Sequence, residues 1–234
     1  MHRILATHCW AYTTCKPCKE ARYKRFHTST NRPHEVDIIQ MGPGKMGMCI
    51  SPGRIKGRWN RELDADIQRI KNDFNADILV TLLTEGDMRD IRAPDLLETA
   101  RACGLECIHF PIRDKFIPSS MVTFVEFIVR LAQLALQGKT LIVHCNGGKG
   151  RTGLVVACTY IVLYRSTVDE AIAVIRQARP GTLYNPLQIL YAHQFRRKWM
   201  RFLPVGVSAD SLRYDDHSHT DPSSIQLVDH PDYE

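Results

Sequence analysis

Thr-Leu-Ile-Val-His-Cys-Asn-Gly-Gly-Lys-Gly-Arg-Thr-Gly, residues 140–153, is the stretch that decides the fold of this chain. Its residues 141–143 form an apolar run that predicts a buried strand. The glycine-rich residues 145–150 predict a tight loop, and a helix is expected to begin near Arg151. This order of strand, loop and helix gathers backbone N–H groups at the positive end of a helix dipole. The stretch therefore predicts a binding site for a tetrahedral oxyanion.

Two side chains of this loop can carry chemistry on a bound oxyanion. A helix N-terminus and nearby cations stabilise a thiolate, so Cys145 is expected to be a nucleophile. Arg151 can fold its planar guanidinium over the loop and hold two phosphate oxygens at once. The glycines are expected to allow positive φ angles and close approach of a ligand. The predicted phosphate-binding residues are Asn146, Gly147, Gly148, Lys149, Gly150 and Arg151.

Composition restricts the class of protein. The chain has 234 residues, 44% of them hydrophobic, which suits one globular domain with tails. Its longest mostly apolar run, residues 154–164, is shorter than the roughly 20 residues that a membrane span needs, so no span is expected. The net charge is +6, but the Lys and Arg residues do not form the concentrated face that nucleic-acid binding requires. Eight cysteines without a secretory signal indicate a reducing compartment.

Strands and helices are predicted to alternate along the middle of the chain. The predicted strands are 36–41, 47–50, 77–83, 105–112 and 141–143. The predicted helices are 61–74 (with Asn60 as N-cap), 95–103, 121–137, 151–164, 167–179 and 185–200. This alternation predicts an α/β domain with a central, largely parallel sheet flanked by helices. The ligand crevice is expected beyond the carboxyl end of strand 141–143.

The segment His144-Cys145-x5-Arg151-Thr152-Gly153 resembles the signature of the cysteine-dependent protein tyrosine and dual-specificity phosphatases. Two flanking segments, residues 47–54 (Gly-Met-Cys-Ile-Ser-Pro-Gly-Arg) and 110–114 (Phe-Pro-Ile-Arg-Asp), are most similar to the kinase-associated phosphatase branch, the cyclin-dependent kinase inhibitor 3 family, and to its bacterial relatives. The resemblance covers about residues 40–198. It implies a protein tyrosine phosphatase-like fold and hydrolysis of a phosphate monoester through a phosphocysteine intermediate, without a metal or other cofactor.

A thiolate that attacks phosphorus needs a general acid, because an alkoxide or phenolate leaves badly unless it is protonated. Asp114 is the candidate acid. It follows the predicted strand 105–112 and precedes the helix breaker Pro118, on a loop that could reach the crevice. The resembling family carries its acid on such a loop, after a Pro-Ile-x-Asp type of sequence. In the second step, Asp114 is expected to act as the base on water.

The resemblance assigns roles to two further residues. It implies that Thr152 donates its hydroxyl to the departing Cys145 sulfur. It also implies that Gln188 orients the attacking water, although Tyr184 occupies the place of a second family glutamine, so the positioning of water differs here. His144 precedes the nucleophile, and its ring is expected to support the loop structurally and not to act as the acid.

Three functions compete. The leading one is a phosphoprotein phosphatase with tyrosine or dual specificity, and the branch resemblance makes a phosphorylated kinase a candidate substrate. The second is a phosphoinositide or other non-protein phosphatase, because Lys149 matches one of two loop lysines of lipid phosphatases, whereas Asn146 replaces the other. The third is a non-catalytic phosphate-binding module, which the joint presence of Cys145, Arg151 and Asp114 disfavours.

The two ends differ in charge from the middle. Residues 1–35 carry seven Lys and Arg against two acids, and residues 201–234 carry two against seven. The first segment is interpreted as a poorly ordered basic leader, with a transit peptide or a zinc half-site as alternatives, and residues 203–234 as a disordered acidic tail. The location is expected to be cytoplasmic, or mitochondrial if the first segment is a transit peptide. The candidate metal ligands are His8, Cys9, Cys15, Cys18 and His27 in the leader and Asp215, Asp216, His217 and His219 in the tail.

Overall fold

The structure, a computed structural model, describes residues 26–215 of the chain. Seven of the terminal metal-ligand candidates lie outside this range: His8, Cys9, Cys15, Cys18, Asp216, His217 and His219. Among the described residues, no three His, Cys, Asp or Glu side chains are grouped so that they could hold a metal ion. No helix within residues 26–215 is long and apolar enough to cross a lipid bilayer.

A five-stranded sheet forms the centre of the domain. In their order across the sheet, its strands are β1 (Asp37–Met41), β2 (Gly44–Cys49), β7 (Thr140–His144), β5 (Ile78–Thr81) and β6 (Glu106–His109). Strand β1 is antiparallel to β2, and every other neighbouring pair is parallel. The predicted α/β fold with a largely parallel central sheet is confirmed. The strand that precedes the glycine-rich loop lies in the middle of the sheet.

Helices cover both faces of this sheet. In the described part of the chain they are α1 (Leu63–Asp73), α2 (Glu85–Asp90), α3 (Leu96–Ala102), α4 (Met121–Leu136), α5 (Gly150–Tyr164), α6 (Val168–Ala178) and α7 (Pro186–Lys198), followed by the 3₁₀ turns Trp199–Phe202 and Asp210–Leu212. Side chains of β7 alternate between the faces: Leu141 and Val143 pack with α4 to α7, and Ile142 packs with α1 to α3. Burial on both faces explains why this strand is apolar throughout.

The predicted N-cap at Asn60 is wrong. Residues Trp59–Asn60 form strand β4, which pairs with β3 (Ile55–Lys56) in a short hairpin. The Asn60 backbone N–H donates to His27 O at 3.1 Å, so this residue is extended and its backbone is already paired. Helix α1 begins two residues after the predicted start, at Leu63. The backbone hydrogen bond of Asn60 is accepted by His27, which is 33 positions away, so the sequence next to Asn60 could not predict it.

The folded domain extends beyond both predicted boundaries, at residues 36 and 202. On the N-terminal side, His34 is buried, and Ser29 Oγ donates to Asp66 Oδ1 at 2.8 Å. On the C-terminal side, Leu212 is buried and the Tyr214 N–H donates to Leu163 O at 2.8 Å. Residues 26–35 and 203–215 thus make contacts with the domain, whereas most of the predicted leader and tail lies outside the described residues and stays a prediction. The polar composition of the described end segments conceals these long-range contacts.

Candidate active site

The glycine-rich loop joins the end of β7 to the start of α5. Cys145 is the first residue after β7, and its side chain is almost fully buried, with 3% exposure. Gly148 has a φ of +65°, and a Cβ at this position would lie 2.1 Å from the Cys49 carbonyl oxygen, so only glycine fits. A Cβ on Gly150 would lie 2.9 Å from Gln188 Oε1. Close packing against β2 and α7 thus requires two of the three loop glycines.

The three loop glycines use their lack of a side chain in different ways. Of the three, only Gly148 adopts the left-handed conformation. Gly150 already has helical geometry as the first residue of α5, and its lack of a side chain matters for the space beside Gln188. A Cβ on Gly147 would meet no atom within 4 Å, which leaves open space on the side that a ligand would approach.

Two arginine side chains bind backbone carbonyl groups of the glycine-rich loop. Arg54 Nη1 donates to Asn146 O at 3.2 Å, and Arg179 Nε donates to Gly148 O at 2.8 Å. Arg179 is itself buried in an ion pair with Asp37 of β1. Because C=O and the following N–H of a trans peptide point in opposite directions, the next N–H in each case faces inward. The loop thereby forms a cradle, residues 145–150, with N–H groups on its inner side.

The N-terminus of α5 points at the same cradle. The first helical N–H that finds a backbone acceptor is that of Gly153, which donates to Lys149 O at 3.1 Å. The N–H groups of residues 150–152 precede it and are the orphan donors of a helix N-terminus. They add to the inward N–H groups of the loop. N–H groups arranged in this way are the type of donor that binds a tetrahedral anion, and the predicted phosphate site stays a prediction.

Arg151 is placed by carboxylates on two different elements. Its side chain is buried, with 1% exposure. Its Nη1 donates to Asp87 Oδ2 and to Ile112 O, both at 2.7 Å, and its Nη2 donates to Asp114 Oδ1 at 2.9 Å. The guanidinium therefore joins the cradle to α2 on one side and to the Asp114 loop on the other.

Asp87 is a site residue that sequence reasoning missed. It belongs to the first turn of α2 and forms a capping box with Thr84, whose Oγ1 accepts from the Asp87 N–H. Burial by itself would raise the pKa of Asp87, but hydrogen bonds from Arg151 and from Thr84 hold that pKa below its usual value. Asp87 is therefore a carboxylate at neutral pH that anchors Arg151. The Thr84-x-x-Asp87 spacing is a capping-box signature, so the sequence could have indicated that a helix begins here.

The loop that carries Asp114 is attached to α7. Asn185 Nδ2 donates to Lys115 O at 2.8 Å, and Gln188 Nε2 donates to Phe116 O at 2.9 Å. Asn185 also caps α7 through its Oδ1, which accepts from the Leu187 N–H. These contacts fix the backbone directly after Asp114. The Asp114 side chain remains half exposed, with 51% exposure, and contacts Arg151.

Several buried polar atoms around the cradle have no hydrogen-bond partner. They include Arg54 Nε, Asn146 Oδ1, Arg151 Nε, Thr152 Oγ1 and Gln188 Oε1. Buried polar groups in folded proteins are nearly always paired, with protein, water or ligand. The clustering of these atoms at one loop provides donors and acceptors for a polar ligand or for water. Four of the predicted site residues, Asn146, Arg151, Thr152 and Gln188, belong to this cluster.

His144 lies behind the cradle at the end of β7. It is fully buried, and its Nε2 lies 2.8 Å from Thr81 Oγ1 of the neighbouring strand β5. Burial, together with the positive charges of His34, Arg151 and His109, lowers the pKa of His144 to about 3. The ring is therefore neutral near pH 7 and pairs the two strands. This placement fits the predicted structural role.

Lys149 is separated from the other predicted phosphate-binding residues by the direction of its side chain. It is exposed, and its Nζ lies 2.9 Å from where a Cβ on Gly181 would stand. Two other described cysteines, Cys49 and Cys158, are fully buried. Burial raises the pKa values of Cys49 and Cys158, which keeps both as thiols within the core.

Comparison with known proteins places this site in a family. Residues 35–173 match the model of the family described as cyclin-dependent kinase inhibitor 3. The cyclin-dependent kinase inhibitor 3 of Rattus norvegicus is 31% identical over 169 residues, which cover 71% of this chain and 77% of the rat protein. A kinase-associated phosphatase with its catalytic-site cysteine replaced by serine has a TM-score of 0.69 at 25% identity, covering 73% of this chain and 98% of that one. The structure of PTPMT1 in complex with PI(5)P has a TM-score of 0.54 at 18% identity, covering 70% and 97%, and shows the fold alone.

The fold and these relatives define a cysteine-dependent phosphatase of the tyrosine and dual-specificity class. Within that class, the chain belongs to the cyclin-dependent kinase inhibitor 3 family. The family resemblance seen in the sequence is confirmed.

Proposed function

We propose that this phosphatase acts on phosphoproteins, removing phosphate from tyrosine and also from serine and threonine through a phosphocysteine intermediate on Cys145. The observation that carries the proposal is the set of unpartnered donors in the loop and helix N-terminus that follow this cysteine. They are Arg151 Nε, Thr152 Oγ1 and the N–H groups of the cradle. Such preformed donors stabilise the charge of a phosphoryl group in transfer, without a metal ion.

In the first step, the Cys145 sulfur attacks phosphorus and the ester P–O bond breaks. The equatorial phosphate oxygens are held by the cradle N–H groups and by Arg151. An incoming phosphate competes with Asp114 for Arg151 Nη2, which in this structure is 2.9 Å from Asp114 Oδ1. Once released from this ion pair, Asp114 takes up a proton from solvent and, as a carboxylic acid, transfers it to the departing oxygen while the P–O bond breaks.

In the second step, water attacks the phosphocysteine and the P–S bond breaks. Asp114, now a carboxylate, takes a proton from this water. Thr152 Oγ1, which is buried without a partner, donates to the departing thiolate. Gln188 Oε1 is free to accept from the water, because the amide of the same side chain is held by Phe116 O. The products are inorganic phosphate and the regenerated enzyme.

A protein substrate is favoured over a phosphoinositide by the position of Lys149. The lysine that suggested a lipid phosphatase extends over Gly181, where it is exposed. Exposed aromatic side chains, Phe116 and Tyr184, lie next to the cradle instead, with 45% and 62% exposure. The names of the relatives make a phosphorylated kinase the first protein to test. Phosphoinositides remain the second candidate, since the PTPMT1 neighbour was solved with PI(5)P.

The experiment that tests this proposal is phosphate release from a matched panel. The panel holds phosphotyrosine, phosphoserine and phosphothreonine peptides, phosphoinositides and inositol phosphates, and Cys145→Ser serves as the blank. We expect higher kcat/KM for the peptides than for the inositol compounds. Turnover of the inositol compounds with inactive peptides would reject the phosphoprotein assignment and select the second candidate.

The role of Asp114 predicts an effect that depends on the leaving group. Asp114→Asn keeps the size of the side chain but removes the transferable proton. We expect kcat to fall by roughly 10²–10⁴ for phosphoserine and phosphotyrosine peptides, and much less for an activated aryl phosphate. Stopped-flow assays with both substrates measure this difference. An equal loss on both substrates would place the general acid elsewhere.

The role of Gln188 predicts slow hydrolysis of the intermediate. Gln188→Ala is expected to slow steady-state turnover about tenfold while leaving the first step faster than the second. A burst of the leaving group followed by a slow phase would report this accumulation in rapid-mixing experiments. Gln177→Ala is the control, because Gln177 is an exposed glutamine on α6. A uniform slowing without a burst would mean that Gln188 only holds the Asp114 loop.

A further inference from the structure

Arg54 is a cation at the active site that the reaction described above does not use. It lies in the loop after β2, is half-buried, and forms no ion pair with a carboxylate within residues 26–215. Other arginines of this region do have acidic partners: Arg61 pairs with Asp66 at 2.7 Å, and Arg151 pairs with Asp87. A partly desolvated guanidinium without an anion is costly, so its partner is expected to come from outside the chain.

Arg54 stands beside the cradle and not within it. Its Nη1 donates to the Asn146 carbonyl oxygen, which is on the outer side of the loop. Its Nε is buried and has no partner. The transferred phosphate is already surrounded by Arg151 and the cradle N–H groups. An anion that reaches Arg54 is therefore a second group, next to the phosphate that reacts.

The charges of the reacting groups act on Arg54. Burial lowers the pKa of Arg54, and the negative charges of Cys145 and Asp114 act in the opposite direction. Arg54 is thus close enough to interact with both reacting groups without forming an ion pair with either. Its guanidinium also lies 5.9 Å from the centre of the Trp59 ring, within the range of a cation–π contact. The Trp59 ring restricts the directions that the guanidinium can take.

We propose that Arg54 and Trp59 form a subsite that binds an acidic residue flanking the phosphorylated side chain of a peptide substrate. A carboxylate or a second phosphate would accept from the Arg54 guanidinium, which is a charge-assisted hydrogen bond. The subsite selects phosphopeptides with acidic neighbours. This inference rests on the proposed phosphoprotein activity, because it names the sequence context that the same active site prefers.

A peptide fits the surroundings of Arg54 better than an inositol headgroup does. Trp59, beside Arg54, is partly exposed. Phe116, two residues after Asp114, and Tyr184, just before α7, are exposed. Apolar and aromatic side chains of a peptide can pack on these rings. A headgroup that presents only hydroxyl and phosphate groups leaves them in water.

The test compares two phosphotyrosine peptides that differ only in their flanking residues, Asp on both sides in one and Asn in the other. The quantity measured is the ratio of their kcat/KM values. We expect the wild-type enzyme to prefer the Asp peptide by roughly tenfold or more, as one charge-assisted hydrogen bond allows. In Arg54→Met the ratio should fall to about one, while Arg54→Lys, which keeps the charge but not the Nε donor, should lie between.

The ratio of the two kcat/KM values distinguishes a role of Arg54 in binding the acidic residue from its role in supporting the glycine-rich loop. Arg54→Met also removes the hydrogen bond to Asn146 O, and any resulting defect of the cradle lowers both rates and cancels. Arg58→Met is the matched control, because Arg58 is an exposed arginine in the β3–β4 hairpin that directly follows Arg54. It should leave the wild-type ratio unchanged.

Three outcomes would overturn the inference. The first is a wild-type ratio near one. The second is an unchanged ratio in Arg54→Met. The third is an Arg54-dependent preference seen only for inositol bisphosphate over inositol monophosphate, which would assign the subsite to a headgroup. If neither peptide is hydrolysed while inositol phosphates are, the phosphoprotein activity itself fails. If both peptides are hydrolysed at equal rates, only the acidic subsite fails.

Discussion

Cys145→Ser is expected to lower phosphatase activity by at least about 10³-fold, because a serine hydroxyl is a far poorer nucleophile than a thiolate. The change preserves the size of a nearly fully buried side chain, so the cradle should keep its shape. Binding of inorganic phosphate should therefore persist. It can be measured as a rise of the melting temperature with added phosphate, in parallel with the activity assay.

The control for this variant is Cys49→Ala, which alters a buried thiol at the end of the adjacent strand β2. This variant should keep most of the activity, since burial raises the pKa of Cys49 and the thiol does not react. Residual turnover above about 1% of wild type in Cys145→Ser would remove Cys145 as the nucleophile. A loss of equal size in a folded Cys49→Ala protein would show that the effect is not specific to Cys145.

Arg151→Lys is expected to lower kcat/KM by roughly 10²–10⁴, through a lower kcat and a higher KM. The guanidinium reaches Asp87, Ile112 O and Asp114 with two nitrogens and leaves Nε for the substrate. One ammonium group has the charge but cannot span these acceptors and a phosphate together. The ground state and the transition state should therefore both bind less well.

Arg130→Lys is the control for this second variant. Arg130 is an exposed residue of α4 whose Nη2 contacts Glu106 Oε1 at 2.9 Å, and exposed pairs of this kind contribute little. We expect unchanged kinetics there. If kcat and KM of Arg151→Lys lie within about threefold of the wild-type values, the planar guanidinium with its several N–H donors is not needed.

Sequence reasoning located the cradle because its parts are contiguous. Residues 144–152 contain the strand end, the loop, the nucleophile and the arginine, so spacing alone brings them together. The capping box at Thr167 and Glu170 was predictable for the same reason, and it does start α6. Alternating apolar segments with helical patterns were sufficient to predict the largely parallel sheet.

The residues that sequence reasoning missed act across long separations. Asp87 reaches Arg151 from 64 positions away, and Asn185 holds Lys115 from 70 positions away. Arg54 reaches Asn146 across 92 positions. Nothing in the local pattern of these residues distinguishes them from ordinary surface or capping residues. Their roles follow only from the tertiary structure, which brings several loops to the carboxyl end of the sheet.

The central claim is that Cys145 becomes phosphorylated during turnover, and a rapid quench measures this most directly. Wild type and Gln188→Ala would be mixed with a phosphotyrosine peptide, quenched within one turnover and digested for mass spectrometry. We predict one added phosphoryl group on the peptide that contains Cys145, in larger amount in Gln188→Ala. A phosphoryl group on a different residue, or no modified Cys145 while product is being formed, would contradict the account.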